Sequence, residues 1–167
     1  GWGKEWVGAW LFLFLCGLLA SPEAAQGGLQ RENVEMVKQI GGSALSVTLR
    51  GNTAYLGLGS TLHLLDVQDP ADPQLKGEVT LPGLVMDVAV LADGTRTYAY
   101  VAAGKAGLRV VDVSHPAALR EKGSYDTGGY AEEVFVSPSN DETRTYAYLA
   151  IGEEGLVILD VSDPAAP

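Results

Sequence analysis

From about residue 34 onward, short stretches of alternating apolar and polar residues are broken every few positions by turn chemistry. No stretch carries the 3.6-residue period of a helix. Residues 87–125 show the pattern most plainly. Four strand-like runs, 87–91, 97–103, 108–114 and 120–125, are separated by Asp93-Gly94, by Gly104-Lys105-Ala106-Gly107 and by a Ser-His-Pro turn. Within 108–113 both alternating sets are apolar at several positions, so the predicted sheet needs cover on both faces.

The same pattern returns along the chain. Leu64-Leu65-Asp66-Val67-Gln68-Asp69-Pro70-Ala71 recurs as Val110-Val111-Asp112-Val113-Ser114-His115-Pro116-Ala117. It recurs again as Ile158-Leu159-Asp160-Val161-Ser162-Asp163-Pro164-Ala165. The aspartates Asp66, Asp112 and Asp160 are 46 and then 48 residues apart, and 95–100 is repeated letter for letter at 143–148. Four antiparallel strands in about 46 residues, repeated, is the unit of a β-propeller blade. The predicted fold is therefore all-β, with two full four-stranded blades and three strands of a third, about 2.75 blades in all. Residues 34–40 are expected to form an orphan outermost strand without its own blade. Because a propeller needs at least about four blades, the ring is expected to be completed by further blades beyond residue 167 or by self-association.

Gly107-Leu108-Arg109-Val110-Val111-Asp112-Val113-Ser114-His115-Pro116 and its copy Gly155-Leu156-Val157-Ile158-Leu159-Asp160-Val161-Ser162-Asp163-Pro164 resemble the LVIVD repeat, and so does the continuation from Gly123 to Thr127. The resemblance covers about 34–167. It implies a β-propeller of exported or cell-surface proteins, and it implies no agreed activity, catalytic residue or cofactor. The first copy departs most, because 60–65 is one residue shorter and Gln68 replaces Ser.

Residues 1–27 differ from the rest: Lys4 precedes 15 unbroken apolar residues, 6–20, and Ala25-Gln26-Gly27 offers small residues for cleavage. This reads as a secretory signal peptide, followed by a linker over 28–33. The run falls short of the roughly 18–20 residues that span a bilayer, so contact with a membrane is expected only if the segment stays uncleaved. Localisation is then extracytoplasmic: secreted, periplasmic or cell-surface. Cleavage removes the single cysteine, Cys16, and all three tryptophans, leaving no disulfide for the mature chain. The formal charge of −10 speaks against nucleic acid or an anionic membrane surface as the main partner.

Strand parity puts the loops after the outermost and second strands on one face. Asp87, Lys105, Tyr130, Glu132, Glu133, Glu153 and Glu154 lie on or near it and form the candidate ligand face, for a protein or a glycan. The acidic members read either as a focus for a cation or basic group or as separate solvated turn carboxylates. Asp66, Asp112 and Asp160 read as structural turn carboxylates, one per blade. Neither His63 nor His115 stands in a ligand or general-base pattern, and no phosphate loop or nucleophile elbow occurs. No catalytic residue, metal ligand or cofactor is assigned. The expected function is a noncatalytic interaction or adhesion scaffold, and the alternative is one domain of a larger secreted hydrolase or other enzyme. The export reading predicts that N-terminal sequencing of the secreted protein starts at Gly28; an intact 1–27 segment on the exported chain would refute it.

Overall fold

The structure is a computed structural model that describes residues 35–167, and the predicted signal peptide and linker, 1–33, lie outside the described residues. Val37–Pro167 form one compact unit. Its sheets follow chain order. The first contains β1 (Ala44–Arg50), β2 (Thr53–Leu58), β3 (Thr61–Asp66) and β4 (Gln74–Thr80). The second contains β5 (Asp87–Asp93), β6 (Arg96–Ala102), β7 (Leu108–Asp112) and β8 (Arg120–Tyr125), and the third contains β9 (Glu133–Pro138), β10 (Thr145–Ala150) and β11 (Leu156–Asp160). All pairings are antiparallel between consecutive strands. Among the described residues the only helical turns are the 3-10 segments Pro116–Ala118 and Gly152–Glu154. These are two complete blades and three strands of a third, a partial β-propeller.

Burial explains why the alternation is apolar on both sides. Tyr55, Leu62 and Leu64 of the first blade close on Val88, Ala99, Val101 and Val111 of the second. The opposite face of the second blade, with Tyr98, Tyr100, Leu108 and Val110, closes on Val134, Ala147, Leu149 and Leu159 of the third. Leu62, Leu108, Val110 and Val111 are fully buried, each worth about 1.5–3 kcal/mol over an exposed position. Burial also pushes the Tyr100 phenol up to about 12, helped by Tyr98 and Asp93 nearby. The missing residue of the first repeat is absorbed in the turn between β2 and β3, where Leu58 pairs with Thr61, so the strands keep their register.

A second contact joins the blades at their outer rim. β4 and β8 each carry a register shift, opposite Leu64/Leu65 and Val110/Val111, directly before Gly77 and Gly123. The backbone of Gly77 lies against the Pro116 carbonyl, and that of Gly123 against the Pro164 carbonyl; a Cβ at either glycine would collide with it. The Pro turn of each blade thus sits on the bulged outer strand of the blade before it. This is why the Gly and the Pro recur at matching places in the repeat.

One expected element is absent. Residues 35–40 form no strand, and Met36, Val37 and Ile40 are exposed. A strand needs a neighbour with free backbone groups, and in full blades the outermost strand takes that neighbour from the third strand of its own sheet. Among the described residues no strand pairs with the 35–40 segment, and its apolar side chains Met36, Val37 and Ile40 are exposed.

Gly77→Ala is expected to destabilise the unit by about 2 kcal/mol or more, because backbone must move to admit the methyl group. Gly94→Ala tests the other kind of glycine, a positive-φ turn with open space around it, where the cost is about 1 kcal/mol. Denaturant midpoints that rank the two variants in the opposite order would contradict the packing described for Gly77.

Candidate functional site

The loops between β6 and β7, β8 and β9, and β10 and β11 gather at one end of the blades. An antiparallel bridge between Gly104 and Ala131 ties the first two together, with Gly104 N to Ala131 O at 3.1 Å and Ala131 N to Gly104 O at 3.0 Å. Gly129 lies against the Ile151 carbonyl and the Glu154 carboxylate, so the third loop joins them. In the preceding blade, Gly83 lies in the same way against the Ala103 carbonyl. The inter-blade linkers are therefore pressed onto the next blade, which makes this loop face a firm surface.

Tyr130 is the centre of that surface. Its half-buried ring covers Gly104, and its hydroxyl donates to Met86 Sδ at 3.4 Å. Lys105, Asp126, Gly128, Gly129 and Tyr130 line an open groove of about 390 Å³. Asp126 holds one wall by accepting from Gly128 N at 3.0 Å, and Thr127 Oγ1 donates to Gly129 O at 3.1 Å. The groove offers an aromatic edge, one ammonium and one carboxylate. Glu132 and Glu154 carboxylates both lie beside Gly152, and the Glu154 carboxylate also reaches Gly129 of the groove. Glu133 and Glu153 are exposed. Among the described residues no three His, Cys, Asp or Glu side chains are placed to hold a metal ion.

Asp87 occupies a different position from the other candidates. Its Oδ1 accepts from Ser46 Oγ of the first blade at 3.3 Å, and its Oδ2 accepts from Val134 N of the third at 3.0 Å. Thr48 Oγ1 donates to Val88 O at 2.5 Å and Arg50 Nη1 to Val90 O at 3.2 Å. One carboxylate on the innermost strand thus pins three blades. The sequence pattern places Asp87 on the candidate ligand face but does not reveal this role, for which the only available sign is its shared register with Ser46 and Glu133 on the innermost strands.

The repeated aspartates sit at the opposite end. Asp66, Asp112 and Asp160 each accept through Oδ1 from the backbone N–H two residues on, at 3.0 Å. In the second blade Ser114 Oγ donates to Asp112 Oδ1 at 2.6 Å and accepts from Thr97 N at 2.9 Å, while Arg96 reaches Asp112 Oδ2 at 3.2 Å. The third blade repeats this with Ser162, Thr145 and Arg144, the last 2.7 Å from Asp160. In the first blade Gln68 replaces the serine, and Lys76 approaches Asp66 at 3.2 Å. A smaller hollow of about 200 Å³ beside Asp112 is lined by His115, Ala118 and Arg120.

These bonds hold the carboxyls below the ordinary range. For Asp66 the Gln68 N–H and Lys76 do so. For Asp160 the Ser162 hydroxyl and N–H lead, with Arg144. Burial opposes ionisation at Asp112, but the Ser114 hydrogen bonds and Arg96 outweigh it. Asp141, with hydrogen bonds from Ser139 and Thr143, is brought down to about 2.

Bladed sheets with one turn clasp per repeat define a propeller-type repeat protein. The LVIVD repeat matches residues 41–80, 82–127 and 128–167, one match to each sheet, and the chain belongs to the LVIVD-repeat family. No curated protein matches it.

A depressed carboxyl pKa contributes stability above its unfolded value, and that stability is lost as pH falls through the folded value. The unit is therefore expected to lose stability as pH drops from about 4 toward 2. Asp112→Ala should lower stability by about 1 kcal/mol at neutral pH and flatten the acid limb. Denaturation midpoints at stepwise pH would contradict the clasp if the variant kept the full acid sensitivity.

Proposed function

We propose that this chain is an exported, noncatalytic interaction module whose loop face binds a protein or a glycan outside the cytoplasm. The observation that carries the reading is the groove of Lys105, Asp126 and Tyr130, set on linkers that are packed against the next blade. A half-buried tyrosine held by a neighbouring sulfur presents a large contact surface at little conformational cost. A lysine and a carboxylate flanking it supply directional hydrogen bonds. Polar groups beside an aromatic edge suit a sugar ring or a polar peptide better than an apolar small molecule. The export part of the reading rests on 1–27 alone.

Two measurements test it. Labelled full-length chain applied to arrays of immobilised glycans and of extracellular proteins is expected to give selective retention, weakened about tenfold or more by Tyr130→Ala, the loss of an interfacial aromatic anchor. Chromogenic glycoside, ester and phosphate substrates are expected to stay unhydrolysed. Retention indifferent to Tyr130 would remove the groove from the reading, and hydrolysis abolished by Glu133→Gln would replace a binding module with an enzyme.

A further inference from the structure

Met86 and Tyr130 come from two different inter-blade linkers, 44 residues apart, and meet beside Gly104. Both backbones are fixed. Met86 N donates to Ala102 O at 2.9 Å, and Tyr130 directly precedes the bridge between Ala131 and Gly104. The Tyr130 side chain is held less firmly: its ring lies on a residue that has no side chain, and its hydroxyl bonds to Met86 Sδ at 3.4 Å. A thioether is a weak acceptor. The place of the ring at the groove therefore depends on one sulfur atom.

That sulfur has few counterparts. The single cysteine, Cys16, lies in 1–27, so the sulfur atoms of the described residues are those of Met36 and Met86. Met36 is exposed and belongs to no strand, whereas Met86 is half-buried and packs against the core between the second and third blades. Met86 also departs from the repeat, because Glu132 holds the same place before β9. Methionine is oxidised to its sulfoxide, which exchanges an apolar head for a polar one and is reversed by reductases.

We propose that Met86 is a peroxide-sensitive latch on the loop face: oxidation of its thioether to the sulfoxide displaces the Tyr130 ring from Gly104 and reshapes the groove. A lone pair of Met86 Sδ attacks one oxygen of a hydroperoxide, the O–O bond breaks and an S–O bond forms. The proton of the attacked oxygen passes to the other, which leaves as water or an alcohol; the sulfur is oxidised and the peroxide reduced. On one side of the new oxygen is apolar core, so it turns toward the Tyr130 hydroxyl. An oxygen atom does not fit between a sulfur and a hydroxyl 3.4 Å apart. The ring gives way, and the groove is its open side. Methionine sulfoxide reductases reset the latch with thiol electrons. The effect on recognition rests on the groove being the binding surface proposed for this chain; the movement of the ring does not.

The test uses the full chain with isotope-labelled methionine methyl groups and tyrosine rings, hydrogen peroxide as oxidant, and tryptic peptide masses to place each added oxygen. A nuclear Overhauser contact is expected between the Met86 methyl and the Tyr130 ring, assigned with Met86→Leu and Tyr130→Phe. After peroxide the contact is expected to vanish, the Tyr130 ring signals to shift and Gly104 amide exchange to rise severalfold, all restored by the reductases. Met86→Leu keeps the volume and loses the sulfur, so its Tyr130 signals are expected to stay in place while Met36 is oxidised. On any array that retains the chain, oxidised wild type is expected to bind about tenfold more weakly, and Met86→Leu to be indifferent to peroxide. An array without retention counts against the binding module alone, and the spectra still decide the latch. Unmoved Tyr130 signals with Met86 fully oxidised would overturn the proposal. So would the same shift in Met86→Leu, a loss of signals throughout the sheets in place of a local change, or a Met86 that stays reduced when Met36 is fully oxidised.

Discussion

Everything in this structure depends on a sheet of four short strands needing cover on both faces. The second blade has that cover: Leu108 and Val110 point into one neighbour and Val88 and Val111 into the other, all essentially removed from water. An isolated blade would leave both sets of side chains exposed, at a cost of roughly 25 cal/mol for each Å² of apolar surface. Stability is therefore a property of the stack, as expected where each repeat touches only its neighbours. The terminal blades, with Val47, Leu49, Leu156 and Ile158 in solvent, show the same sequence pattern without the cover.

Apolar burial alone would let the blades slide, since it has little direction. Direction comes from two polar or backbone contacts at different radii. Near the axis, Asp87 bonds to blades on both sides of it, and Thr48 and Arg50 reach the carbonyls of the next innermost strand. At the rim, the Pro116 and Pro164 turns seat on Gly77 and Gly123, where no side chain fits. The Asp112 and Asp160 clasps shape those turns before they meet the neighbouring blade, so local turn chemistry and blade spacing are one device.

How much of this was legible depended on whether a contact repeats in one dimension. The strands 87–91, 97–103, 108–114 and 120–125 fall on β5 to β8 with shifts of two residues or fewer, because alternation and turn residues are local signals. The double apolar pattern announced stacked sheets for the same reason. The 35–40 segment misled, since its composition suits a strand but a strand also requires an edge to pair with, which no local pattern records. Strand parity places Asp87 at the candidate ligand face, yet its partners Ser46 and Val134 are 41 and 47 residues away. Contacts between blades at the same register can be found by aligning repeats vertically, and Ser46, Asp87 and Glu133 then fall in one column. Whether they touch depends on the angle between blades.

The loop face is less legible than the frame for a further physical reason. Every blade must satisfy the same packing, so residues such as Asp66, Asp112 and Asp160 recur and identify themselves as parts of the frame. A binding site on a repeat protein is carried instead by positions where the copies differ. Tyr130 is one: the corresponding position before β5 is Leu84, which is exposed where Tyr130 is half-buried and has no hydroxyl, and the short turn of the first blade has no counterpart of Lys105. The departure from the repeat occurs at one blade junction, where linker glycines already fix the backbone. Repetition thus marks what holds the blades together, and the break in repetition at Lys105 and Tyr130 marks positions that the frame does not dictate.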